Sequence, residues 1–246
     1  VPPEPSNPTT ADAGRFELTR WSVVVRAAGP DSTKAHQALE HLCATYWYPL
    51  YVFVRREGRG AADAQDLTQE FFARLLEKNW LDGIDREKGK FRSFLLAAMR
   101  HFLANQWDRA HRLKRGGRES AISLDAQTAE ARYALEPVDH MSPDRIFERR
   151  WALTMLEQVL ARLKQEFVAA GKGKLFEELK PALTGGKAPY AEIAARLNLH
   201  ETAVRVAVHR LRLRYRSLIR AEIAETVATE SEVDAEVQYL FAALAS

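Results

Sequence analysis

Apolar residues recur three and four positions apart through most of the chain, and no convincing two-residue alternation of apolar and polar side chains interrupts them. The pattern predicts an all-α fold. A short helix is expected over 16–28, carrying Trp21, Val24 and Val25 and closed by Gly29-Pro30. Asp31 or Ser32 caps a second helix that runs through Tyr51 and beyond. After a turn at Gly58-Arg59-Gly60 a third covers 62–77 and ends at Asp82-Gly83, and a long helix then runs from Phe91 to about Lys114 before Gly116-Gly117 breaks it. Helix signals resume at Ser142-Pro143-Asp144, where a side-chain cap, a first-turn proline and an acid coincide. The apolar face that follows carries Phe147, Trp151, Met155, Leu156, Val159, Leu160, Leu163 and Phe167 as far as Gly171, and a short helix is expected over 175–183.

From Pro189 the periodicity describes two helices joined by a tight turn. Ile193, Ala194 and Leu197 recur before a turn at Asn198 and Leu199, and a second helix starts between His200 and Thr202. In that helix Val204, Val208, Leu211 and Tyr215 make an inward stripe, while Arg205, His209, Arg212 and Arg216 lie on a neighbouring outward one. A helix-turn-helix offers this arrangement to the DNA major groove.

Charge sharpens the picture. The whole chain has a formal net charge of only +3, yet seven arginines stand between 196 and 220 against the single acid Glu201. A helix neutralising several phosphates binds nucleic acid with a strong salt dependence. A second concentration runs from Arg86 to Arg118, with ten bases against Glu87 and Asp108; Phe91, Leu95, Ala98 and Phe102 form its inward stripe and His101, Asn105, Arg109 and Arg112 its polar one. Between the two, 116–144 holds six acids and two arginines, and reads as an acidic linker.

Composition limits the alternatives. At 246 residues with 46% hydrophobic and 28% charged residues, the chain fits two small soluble domains. No apolar run approaches the roughly 20 residues of a membrane span, so no membrane insertion is expected, and the proline-rich opening predicts a disordered tail, not a signal peptide. The expected compartment is cytoplasmic. The single cysteine, Cys43, is expected as a buried helical thiol, given Leu39, Leu42 and Tyr46 around it. The seven histidines show no metal spacing and no phosphate-cradling Gly-x-x-x-x-Gly-Lys-Ser/Thr is present, so no metal, cofactor or catalytic residue is expected.

In this order, Asp63-Ala-Gln-Asp66-Leu-Thr-Gln69-Glu70-Phe-Phe-Ala-Arg74, Phe91-Arg-Ser-Phe-Leu-Leu-Ala-Ala-Met-Arg100-His and the terminal Val204-Arg205 and His209-Arg210 pattern resemble an extracytoplasmic-function-type sigma factor. Such a factor is the dissociable promoter-recognition subunit of bacterial RNA polymerase, within the sigma-seventy superfamily. The resemblance covers roughly 33–115 and 144–222. After the tail over 1–14, expected as disordered, it implies a helical domain over 15–116 for core polymerase and the minus-ten element. An acidic linker over 117–143, a minus-thirty-five domain over 144–222 and an added acidic amphipathic extension over 223–246 follow.

The resemblance also implies residue roles. Asp63, Asp66, Gln69 and Glu70 would meet the clamp helices of core RNA polymerase, and Lys90, Arg92, His101, Asn105 and Arg109 would hold promoter DNA at the minus-ten element. Arg205, His209 and Arg210 would enter the major groove at the minus-thirty-five element, with Thr202 and Arg212 on phosphates. The linker would run through the positively charged channels of the polymerase until RNA displaces it.

This chain departs from the family's usual pattern at Gln65, where an acid is common, and at Thr68, where an apolar residue is common. Phosphorylation of Thr68 by a serine/threonine kinase would restore negative charge on the expected helix surface. An anti-sigma factor is the other expected controlling partner. The segment 172–187 is longer than the usual spacer. In the extension, Val233, Val237, Leu240 and Leu244 form an apolar stripe, expected to dock on its own domain rather than to cover the DNA surface. The competing reading is a homodimeric repressor with a helical ligand-binding domain, which would bind a palindrome without polymerase.

Overall fold

Tyr46, Tyr48 and the unbroken run Leu50, Tyr51, Val52, Phe53 and Val54 are all buried, although they point to every side of one helix. A helix apolar all round must be enclosed by others, and this one, α1 (Thr33–Arg56), is the axis of the molecule. The computed structural model describes residues 33–77, 90–112, 126–135, 141–183, 189–227 and 229–245. The expected tail, the helix over 16–28 and most of the acidic linker lie outside these residues.

Every regular element among the described residues is helical. After Gly58, whose φ of 86° suits glycine in the turn, α2 (Ala61–Glu77) and α3 (Phe91–Arg112) pack on α1 and on each other. Phe71, Leu95, Met99 and Phe102 close that side of the core. Next comes a helix that the periodicity did not predict. Inside the expected acidic linker, α4 (Ala126–Ala134) docks beside α1, where Glu130 accepts from Arg55 at 2.7 and 3.1 Å and from the Tyr51 hydroxyl. The Arg55 guanidinium also lies 4.6 Å from the centre of the Tyr133 ring.

The opposite side of α1 is covered by α5 (Pro143–Ala169). It starts as the sequence predicts, with Ser142 accepting from the Arg145 N–H at 3.4 Å and Pro143 in the first turn. Phe147, Trp151, Met155 and Leu163 are fully buried, and Trp151 donates its indole N–H to the Tyr46 hydroxyl at 3.2 Å. Burial pushes the Tyr46 phenol far above its ordinary range, so it stays protonated. On its other flank α5 meets α6 (Gly173–Leu179), α8 (Glu201–Ala224) and α9 (Ser231–Ala245). A 3₁₀ turn over Lys180–Ala182 follows α6, and α7 (Tyr190–Leu197) precedes α8. The halves expected as separate helical domains thus meet along α1 and α5, and their buried side chains form one cluster.

Candidate nucleic-acid interface

The turn between α7 and α8 explains how the basic helix is presented. Asn198 is the only non-glycine among the described residues with positive φ, at 52°. Its N–H donates to the Ala195 carbonyl at 3.3 Å and that of Leu199 to Ala194 at 2.9 Å, closing α7 with paired reverse bonds. Asparagine tolerates this left-handed conformation better than most side chains. Ile193 and Ala194 of α7 are buried, as are Val204, Val208 and Leu211 of α8, and the Tyr215 hydroxyl reaches the Leu156 carbonyl at 3.4 Å.

With that stripe inward, Thr202, Arg205, His209, Arg210, Arg212 and Arg216 are exposed. The line farthest from the core is Thr202, Val206, His209 and Leu213. Val206 is 49% exposed. Sequence reasoning passed over Val206 as one more apolar helix residue, yet an exposed aliphatic group between Arg205 and Arg210 can pack on a thymine methyl. His200, Ala203 and Val206 also border an open groove of about 490 Å³ against Phe167 and Leu175.

The seven arginines do not act alike. Arg196 is tied to Glu178 at 2.7 Å, Arg214 to Glu166 at 2.7 Å, and Arg220 to Asp234. These acids come from other parts of the chain, so three cations of the basic run are already paired at the surface of the fold. The hydrogen bond from Arg214 is the main cause that lowers the Glu166 carboxyl below its usual range. Arg212 donates to the Ala182 carbonyl at 3.0 and 3.3 Å, holding the end of the 3₁₀ turn. Arg205 is paired with Glu201 one turn away at 2.7 Å but stays on the surface. Arg210 and Arg216 make no ion pair among the described residues.

The second basic strip divides more sharply. His101 and Asn105 are exposed and linked one turn apart, with the amide nitrogen 3.1 Å from the imidazole Nδ1. Arg109 lies in the last turns of α3, and its side chain is outside the described residues. Lys90 and Arg92 are not open to solvent in the way the sequence suggested. Arg92 is 6% exposed, with its guanidinium 3.7 Å above the Tyr239 ring and bonded to Glu236 at 2.5 Å and Glu148 at 3.3 Å. Burial alone would lower its pKa, but the bond to Glu236 and that carboxylate's charge hold it above the ordinary value. Lys90 reaches the same carboxylate at 2.5 Å. The extension docks on its own domain as expected and also covers the start of α3, because its buried face carries Glu236, which holds Lys90 and Arg92.

On α2, Asp63 and Asp66 are exposed, while Gln69 and Glu70 are partly covered; Glu70 pairs with Arg74 at 2.5 Å. Thr68 corrects the expectation of a surface phosphorylation site. It is 0% exposed, and its hydroxyl donates to the Ala64 carbonyl at 2.7 Å. Ala64, Thr68, Phe71 and Leu75 are spaced as one inward stripe, so the position that takes an apolar residue in the family remains a core position here. Cys43, expected to be buried, is only partly so.

Among the described residues no group of His, Cys, Asp or Glu could hold a metal ion, and no helix is long and apolar enough to cross a membrane. No curated protein and no solved structure matches the chain significantly. The ECF sigma factor family model, however, matches residues 36–222, from α1 almost to the end of α8, and the chain belongs to that family of sigma factors for transcription initiation.

Proposed function

We propose that the protein binds core RNA polymerase through α2, reads the minus-thirty-five element with α8, and holds the minus-ten element along α3 while the strands open. The observation that carries this reading is the outer surface of α8, where Val206 and His209 lie between exposed Arg205 and Arg210 on a helix fixed by a buried stripe and a closed turn. Exposed Asp63 and Asp66 suit a basic clamp surface, and exposed His101 and Asn105 suit an unpaired base. In a reconstituted run-off assay, the protein with core polymerase initiates at a cognate promoter. Binding of a free palindrome as a dimer, with no association with polymerase, would replace this reading with that of a repressor.

Two kinds of DNA contact follow. Arg205→Ala or Arg210→Ala is expected to cost about 1–3 kcal/mol on the cognate element and to relax base preference there. Arg216→Ala should weaken every sequence alike and reduce the salt slope by about one unit. Affinities measured by anisotropy on cognate and scrambled duplexes separate the two; equal loss on both duplexes for Arg205→Ala and Arg210→Ala would put the reading face elsewhere. Arg212→Ala is a poor phosphate probe, since it also frees the Ala182 carbonyl.

A further inference from the structure

The last helix, α9, lies beyond the residues that the family matches and still supplies the anion at the entrance of α3. Its inward face reads Val233, Glu236, Leu240 and Ala243, three apolar groups with a carboxylate among them. Glu236 is 1% exposed. One of its oxygens lies 2.5 Å from the Lys90 amine and the other 2.5 Å from the Arg92 Nε. Tyr239, one turn on, lies beneath both cations. The main chain joins this grip, since the Phe91 N–H donates to the Thr226 carbonyl at 3.4 Å.

Two oxygens of one anion shared between a lysine and an arginine is also the arrangement in which these side chains hold a phosphate. A helix that merely completed a core would gain as much or more from an apolar residue at 236, because a buried ion pair adds little stability over such a replacement. The carboxylate is, however, the anion that the two cations share, Arg92 bonding in addition to Glu148 of α5 at 3.3 Å. The exposed pair between Arg220 and Asp234 adds little to the docking.

We propose that α9 is an autoinhibitory segment whose Glu236 occupies the phosphate position between Lys90 and Arg92, so that the start of α3 takes promoter DNA only after α9 lets go. This rests on the reading of Lys90 and Arg92 as minus-ten contacts.

The test uses the full chain, Glu236→Gln and a chain ending at Val227, with a labelled single-stranded oligonucleotide of about 25 nucleotides as probe. Both altered chains should bind it at least about fivefold tighter than the full chain at low salt. Their log–log salt dependence should steepen by about 0.7, for the one phosphate newly held. Adding Lys90→Ala and Arg92→Ala to the shortened chain should abolish the gain. Unchanged affinity in both altered chains, with helical content preserved by circular dichroism, overturns the masking; so does a gain that survives loss of Lys90 and Arg92. Duplex binding sensitive to Arg210→Ala reports on whether the chain engages DNA through α8 as proposed. If it is present without any single-strand gain, only the masking fails, whereas absence of binding to either probe removes both.

Discussion

Trp151→Ala is expected to lower the free energy of unfolding by about 3–5 kcal/mol, the usual range for truncating a buried large aromatic side chain. Trp151 is fully buried between α5 and α1, and its loss would also leave the Tyr46 hydroxyl without its indole donor in a dry site. For a chain of this size the melting temperature should fall on the order of 10 °C. Trp151→Phe should recover much of the loss, since it keeps most of the ring volume and gives up the hydrogen bond. Urea unfolding of the two variants checks this. Equal stability of wild type and Trp151→Ala would mean that α5 does not seat on α1 through this side chain.

Arg92→Ala should rank next. Removing one partner of a buried ion pair costs about 3–5 kcal/mol because the other charge stays buried; here the low end is expected, since Lys90 still reaches Glu236. The informative measurement is a double-mutant cycle. Arg92→Ala with Glu236→Ala should be less damaging than the sum of the single changes, with a coupling of about 0.5–3 kcal/mol. Additive effects would show that the two side chains do not share a site in solution. The loss of stacking on Tyr239 and of the bond to Glu148 accompanies Arg92→Ala in both backgrounds and cancels in the cycle.

Much of this architecture was legible because helical periodicity reports burial directly. The inward stripe of α8, the capped start of α5 and the apolar face from Phe147 to Phe167 were all readable from spacing alone. What periodicity could not supply was the partner of each polar residue. Glu166, Glu178 and Asp234 stand 48, 18 and 14 positions from the arginines they hold, so the basic run looked freer than it is. Thr68 was misplaced because its type outweighed its position: it stands four residues after Ala64 and three before Phe71, on the core side, and a threonine can enter a core by donating back to its own helix. The short α4 was hidden for a related reason. Its docking couples Glu130 to Arg55 and Tyr51, residues 75 and 79 positions away, beside a short apolar face of only Ala129 and Tyr133.

Helix α4 also takes up length in the segment that connects α3 to α5. As nine helical residues it spans about 13 Å, at about 1.5 Å per residue. Drawn out at about 3.3 Å per residue, the same nine would span about 30 Å. Unwinding these nine residues would therefore let out on the order of 16 Å of slack between α3 and α5 without any change in covalent length. The contact of Glu130 with Arg55 and Tyr51 thereby keeps that length wound up against α1.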